Sequence, residues 1–228
     1  MKAVILAAGE GTRMRPITYT TPKPLIKILG KPILEYNFDI LKDKVDEIIV
    51  VVGHLKEKII EYFGESYEGV KLTFVEQKRI CGTADAVREV EEYIPDGFIL
   101  LMGDSIYDKK DLDACLEHDL SILAVEVDEP EKFGIFRLDG DRITEMVEKP
   151  QEYISNLANA ALYVLDREVF DEIKKLKPSP RGEYELTDAL NAIASRRHIH
   201  CVKSRGYWIP IGYPEDIEKA EEILKENQ

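Results

Sequence analysis

The sequence has little that would carry it into a membrane or onto nucleic acid. No apolar run approaches the ~20 residues of a spanning helix. The opening Met1–Ala7 is too short for a signal-peptide core and reads as a first strand. Lys and Arg number 31 against 44 Asp and Glu, a formal net charge of −13, which argues against general affinity for polyanions. Aromatics are scattered and only one is tryptophan, so no base-stacking platform is evident. The three cysteines, Cys81, Cys115 and Cys201, are odd in number and lack metal-like spacing. They read as free thiols in a reducing compartment, so a cytoplasmic protein without membrane or nucleic-acid partners is expected. Of four histidines, His54, His118, His198 and His200, none are paired at helical spacing. His198 and His200 share one face of a strand. Neither a cysteine nor a carboxylate partner is evident, and a solvated sheet edge is expected there. The absence of a Gly-x-Ser-x-Gly elbow argues against a serine hydrolase.

What is present suits one large α/β domain: 228 residues, 44% hydrophobic and 33% charged. Apolar runs at 2–7, 47–52, 70–75 and 98–102 read as buried strands. Between them, 32–41, 54–63 and 83–93 show helical spacing. This βαβαβαβ alternation predicts a largely parallel sheet with right-handed crossovers and ligands beyond the strands' carboxyl ends. The second half is less regular. Strands are expected at 121–127, 133–138, 142–147 and 160–165, with a hairpin at Asp139-Gly140-Asp141 and an edge strand at 198–202. Helices are expected at 167–176, 186–195 and 214–225. The economical fold is α/β with a small antiparallel insertion.

The first strand runs into Ala7-Ala8-Gly9-Glu10-Gly11-Thr12-Arg13. Glycines here let backbone N–H groups approach phosphate oxygens. Met14 stands where a dinucleotide fingerprint needs its third glycine, and Gly-Lys-Ser/Thr is absent. Pro16, Pro22 and Pro24 forbid a helix directly after the loop. The turn brings its own cations, Arg13 and Lys23, and the two flanking prolines stiffen the chain around Lys23.

Leu6-Ala7-Ala8-Gly9-Glu10-Gly11-Thr12-Arg13-Met14-Arg15-Pro16, followed by Lys23-Pro24, resembles the signature of the sugar-1-phosphate nucleotidylyltransferases. That family includes glucose-1-phosphate thymidylyl- and uridylyltransferases and mannose-1-phosphate guanylyltransferases. The resemblance implies a Rossmann-like, mixed but mostly parallel sheet in a single domain over residues 1–228. A nucleotide-binding half would span about 1–110 and a sugar-binding half about 111–228. It implies nucleotidyl transfer from a nucleoside triphosphate to a sugar 1-phosphate, giving an NDP-sugar and pyrophosphate. UTP or dTTP is the favoured donor. Glucose 1-phosphate, or a related hexose or N-acetylhexosamine 1-phosphate, is the favoured acceptor. Leu6, Ala7, Ala8, Gly9, Gly11 and Thr12 would hold the triphosphate. Arg13 would meet the departing pyrophosphate and Lys23 the phosphate oxygens at the reacting centre.

Later motifs follow the family's order along the chain. Asp104, at the end of a strand in Gly103-Asp104, would hold Mg²⁺ and take part in catalysis with Arg13 and Lys23; alone it also reads as a turn cap. Asp216, after Gly212-Tyr213-Pro214, would be the second metal carboxylate; alone it reads as an acid in a helix's first turn. Gln77, Gly82 and Thr83 match the base site. A glutamine amide donates and accepts at once, which suits uracil or thymine. Cys81 departs from the family's common leucine. Gly134, Glu148, Lys149 and Asn159 match the sugar-phosphate site, with Ala161 where the family commonly has glycine. Trp208 and Tyr207 suit either the sugar site or the core. Several members continue into a left-handed β-helix, and nothing after about Ala220 corresponds to one here. Two other readings stay open: a catalytically silent nucleotide-sugar-binding regulatory subunit, and a cytidylyl- or guanylyltransferase with another phosphorylated acceptor. A homo-oligomer is compatible with all of them.

Overall fold

The computed structural model describes residues 1–227. Its elements are β1 (Lys2–Ala7), β2 (Lys27–Ile28), β3 (Lys31–Pro32), α1 (Ile33–Leu41), β4 (Glu47–Val52), α2 (Lys56–Phe63), β5 (Ser66–Tyr67), β6 (Val70–Glu76), α3 (Thr83–Arg88), β7 (Phe98–Met102), β8 (Ser105–Tyr107) and α4 (Lys109–Cys115). These are followed by β9 (Ser121–Glu126), β10 (Gly134–Asp139), β11 (Arg142–Glu148), β12 (Leu157–Leu165), α5 (Glu168–Ile173), α6 (Leu186–Ala194), β13 (His200–Lys203), β14 (Trp208–Pro210) and α7 (Asp216–Glu226). No helix among the described residues is long and apolar enough to cross a membrane.

Ten strands form one sheet in the order β10-β11-β13-β9-β12-β7-β1-β4-β6-β5. The β7-β1-β4-β6 block is parallel. β4 is buried along its whole length, as a strand covered on both faces must be, which explains its continuous apolar run. Alternate residues serve opposite faces. Val4, Leu6, Ile49 and Val51 join the core under α3, α5 and α6. Ala3, Ile5, Ile48 and Val50 join the core that includes Leu34 and Phe38 of α1 and Leu112 of α4. A third core of Met14, Ile33, Ile106, Ile209, Ile211 and Leu224 fastens α7 close to the loop after β1.

Chain order within that block makes the β1–β7 border a switch point, because the chain leaves β1 toward β4 and later returns to its other side at β7. A ligand crevice forms at such a border. Gly103 N donates to Leu6 O at 2.8 Å, and a Cβ on Gly103 would meet Ala7 Cβ at 2.9 Å. The ends of β1 and β7 are therefore in contact, which sets the glycine loop beside Asp104.

Three expectations need correction. β13 is not an edge strand: it lies between β9 and β11, parallel to the first and paired with the second at Arg142↔His200. Short runs carry no signal of which side a neighbour will cover. The helix expected over 83–93 ends at Arg88 and gives way to a 3-10 turn at Glu91–Tyr93. β12 starts at Leu157 and carries an irregularity between Asn159 and Tyr163, where Ala161 has φ +57°.

Candidate active site

A cleft of about 500 Å³ opens at the carboxyl ends of β1 and β7. Leu6, Ala7, Ala8, Gly9, Gly11, Thr12, Arg13 and Lys23 line it, together with Gln77, Gly82, Thr83 and Asp104. A larger hollow of about 680 Å³ lies by Lys2, Arg88 and Arg167, at the opposite end of β1, away from this chemistry.

The loop is held by its own backbone. Gly11 is left-handed, at φ +61°, and its carbonyl accepts from Met14 N at 2.9 Å and Thr18 Oγ1 at 2.8 Å. A Cβ there would press on Thr18 Cγ2 at 3.0 Å and Lys23 Cβ at 3.3 Å, so glycine is needed for both conformation and space. His54 N donates to Ala8 O at 3.2 Å and pins the other side.

Lys23 starts a short 3-10 turn, Lys23–Leu25, between its two prolines. Its side chain is only 9% exposed, and Nζ donates to Asp104 Oδ2 at 2.6 Å. The Asp104 side chain is 42% exposed, and its Oδ1 accepts no hydrogen bond among the described residues. Ile211 N donates to Asp104 O at 2.9 Å, which carries Gly212 into the cleft lining. Asp216 Oδ2 accepts from Gly212 N and Tyr213 N, each at 2.8 Å, while Oδ1 has only Lys219 at 3.8 Å. A Cβ on Gly212 would lie 3.5 Å from Asp216 Oδ2 and 4.0 Å from an Arg13 guanidinium nitrogen, so these side chains are neighbours. Arg13 also lies 5.2 Å over the Tyr213 ring. Asp104 and Asp216 thus each keep one hard oxygen without a close partner beside the cleft, a donor set that fits Mg²⁺.

Gln77 is buried, and its Nε2 donates to Asp85 Oδ2 at 3.2 Å and Gly82 O at 3.5 Å. Asp85 is in turn paired with Arg88. Asp85 orients the amide and was hidden in the sequence as an ordinary acid in a helix's first turn. Gly82 has φ +108°, and a Cβ there would meet Tyr184 O at 2.4 Å. The approach that demands glycine is therefore by the chain's own Tyr184, a contact between distant segments that the sequence could not reveal. Thr83 Oγ1 accepts from Leu186 N at 3.2 Å and so also anchors the start of α6.

Gly134, Glu148 and Asn159 come together from β10, β11 and β12. Gly134 pairs with Glu148, and a Cβ on it would lie 3.1 Å from Glu148 Oε2 and 3.8 Å from Asn159 Cβ. Burial raises the Glu148 pKa, opposed by Arg181 and Lys149. Arg181, at 3.9 Å from Glu148, is an unforeseen member of this cluster. Asn159 is committed to the strand's irregularity: Oδ1 accepts from Ala161 N at 2.9 Å and Nδ2 donates to Tyr163 Oη at 3.0 Å. Lys149 follows at φ +46°, its N–H donated to Phe133 O at 2.9 Å. None of these four lines the nucleotide-side cleft itself. Trp208 packs edge-on against Phe133 at 5.7 Å, next to Gly134.

The histidines divide. His54 Nε2 lies 3.0 Å from Thr18 O, near the loop. His198 and His200 do have a carboxylate partner, Asp141, contrary to expectation. The hairpin turn that supplies it is remote in sequence, so spacing gave no hint.

Fold and cleft together define an α/β nucleotide-binding protein with a glycine loop, paired cations and two carboxylates. The chain belongs to the nucleotidyl transferase family, whose model matches residues 2–227. It is 41% identical over 225 residues to the bifunctional protein GlmU of Methanocaldococcus jannaschii, a match covering 98% of this chain and 54% of that protein. It is 39% identical over 236 residues to the UTP–glucose-1-phosphate uridylyltransferase AglF of Haloferax volcanii, covering 99% and 97%. A solved UDP-glucose pyrophosphorylase complexed with UDP-glucose superposes with a TM-score of 0.89 at 27% identity, covering all of this chain and 99% of that one. The chain spans about half the length of the GlmU relatives and nearly all of AglF.

Proposed function

We propose that the chain transfers a nucleotidyl group from a nucleoside triphosphate to a sugar 1-phosphate. One observation carries this reading: the nearly buried Lys23 ammonium, paired with Asp104 beside the glycine loop. An oxygen of the sugar phosphate attacks the α-phosphorus, the bond from that phosphorus to the bridging oxygen breaks, and pyrophosphate leaves. A phosphate monoester is mostly ionised at neutral pH, its second pKa being about 6, so no general base is required. The protein's task is to position two anions and offset growing charge. Lys23 serves the reacting centre and Arg13 the departing pyrophosphate. Backbone N–H groups of the loop cradle the triphosphate.

Asp104 and Asp216 are the residues that would hold Mg²⁺. When bound, the ion supplies charge neutralisation on phosphate oxygens. Residues up to about 110 form the nucleotide side and the remainder the sugar side of one domain. Gln77 supports uracil or thymine: with its NH₂ held by Asp85, its carbonyl is left to accept from the base's imide N–H. The uridylyltransferase name of the Haloferax relative favours UTP, and glucose 1-phosphate as acceptor. Gly134, Glu148, Lys149 and Asn159 form the acceptor side. A cytoplasmic setting agrees with the free thiols of Cys81, Cys115 and Cys201.

Pyrophosphate release across a panel of triphosphates and phosphorylated acceptors tests the reading. Fastest turnover is expected with UTP or dTTP and a hexose 1-phosphate. Lys23→Ala should reduce it by roughly 10²–10³-fold, with a much smaller loss of thermal stability. Silence with every pair, or wild-type rates in Lys23→Ala, would overturn it.

A further inference from the structure

Three of the four histidines meet at one place, drawn from distant parts of the chain. His118 follows α4, His198 and His200 enter β13, and Asp141 sits in the turn between β10 and β11. His198 Nε2 lies 3.2 Å from Asp141 Oδ1, and His200 Nδ1 lies 2.9 Å from Asp141 Oδ2. The rings stack in a column, His198 on His200 at 4.1 Å and His118 on His200 at 4.0 Å. Cys201 N donates to Asp141 O at 2.7 Å and Ile143 N to Ile199 O at 3.0 Å, so turn and strand are already fastened together.

This cluster lies toward the opposite ends of the strands from the glycine loop. β13 runs parallel to β9, and β9 is antiparallel to β12, which is antiparallel to β7. β13 therefore runs with β1 and β7, and His200 is at its amino end. Nothing in the proposed reaction uses these groups.

The geometry points to a metal site: we propose that Asp141, His198 and His200 bind a late first-row divalent cation of the Zn²⁺ class, clipping the β10–β11 turn to β13. One ligand atom from each residue lies within 4.8 Å of the others. Two imidazole nitrogens and one carboxylate oxygen suit Zn²⁺, Co²⁺ or Ni²⁺ and not Mg²⁺, which prefers oxygen alone. The two ring nitrogens that face Asp141 are the ligating atoms. A cation there takes the place of the protons they share with the carboxylate, and each ring keeps a proton on its other nitrogen. The three side chains are 30–61% exposed, so an ion enters without opening the fold and water completes its shell. His118 buttresses the His200 ring. The chain's charge of −13 favours a cation at its surface.

The test is Co²⁺ titration of the metal-stripped full chain, with Mg²⁺ in excess to fill any oxygen-only site. Expected are one Co²⁺ per chain with visible d–d absorption, displacement by Zn²⁺, and no thiolate charge-transfer band. Zn²⁺ at a hundredfold excess over Kd should raise the melting temperature by roughly 5–10 °C. His198→Ala, His200→Ala and the shape-preserving Asp141→Asn should lose most of the binding while keeping the metal-free circular dichroism of the parent. An absence of stoichiometric binding, binding that survives both histidine substitutions, or a cysteine-type spectrum would overturn the proposal. The readout does not involve nucleotide turnover, so its failure is separate from failure of the proposed reaction.

Discussion

On the parallel side of the sheet, every residue from Leu6 to Arg13 except Glu10 lines the cleft as one loop. On the antiparallel side, Gly134, Glu148 and Asn159 meet only because three strands pair in a particular register. The first arrangement depends on local backbone conformation. The second depends on alignment, where a one-residue slip would turn every side chain to the other face. Two glutamates, Glu47 buried and Glu148 about a third exposed, show the same contrast. Burial alone would raise Glu47, but hydrogen bonds from Lys2, Lys71 and Thr73 outweigh it and hold the carboxyl at about 2. Glu148 is raised by burial, and Arg181 and Lys149 offset this only in part. One carboxylate is satisfied within the fold, whereas the other has only Arg181, at 3.9 Å, as an ion-pair partner among the described residues.

Glycine substitutions are the strongest way to break this comparison. Gly82→Ala should cost about 3 kcal/mol, because a Cβ would sit 2.4 Å from the Tyr184 carbonyl at φ +108°. Gly9→Ala has open space and should fold like the parent, yet raise the triphosphate KM by about tenfold if the loop cradles phosphate. Thermal melts and steady-state kinetics on the pair would separate the two roles. Equal melting losses would refute the division.

The glutamates should move stability in opposite directions. Glu47 has a lowered pKa, so its contribution is present above pH ~4.5 and is lost as pH falls toward about 2. Glu47→Gln should therefore lower stability at pH 7 by about 2 kcal/mol, with the gap closing in acid. Glu148 has a raised pKa, so ionising it costs stability as pH climbs past the ordinary glutamate range. Glu148→Gln should gain under ~1 kcal/mol at pH 7, since water screens a side chain that is a third exposed. It should also raise the sugar-phosphate KM. Urea melts from pH 3 to 8 would check both signs. The smallest effect is at Ala161, where φ is +57°. Ala161→Gly relieves that conformation and should add roughly 0.5–1 kcal/mol, seen as a slight rise in urea midpoint. A loss instead would mean that the methyl's packing outweighs the backbone strain.

Sequence alone was enough to locate β1, β4 and β7, the glycine loop, and the cations at Arg13 and Lys23. Each of these is written in adjacent residues: apolar continuity for a doubly covered strand, two close glycines for a turn, prolines on both sides of a lysine. Asp104 was legible for the same reason, as the carboxylate just beyond the end of a buried strand. Tertiary structure decided that β13 lies inside the sheet, that Asp85 steers Gln77 and that Tyr184 dictates Gly82. It also explains Ala161, where the irregular β12 imposes the left-handed backbone that a glycine would adopt freely. Above all it brought Asp141 to His198 and His200, a partnership invisible in spacing. Local conformational preference is a property of neighbouring residues, whereas a contact between distant segments exists only once strand order and register have been chosen.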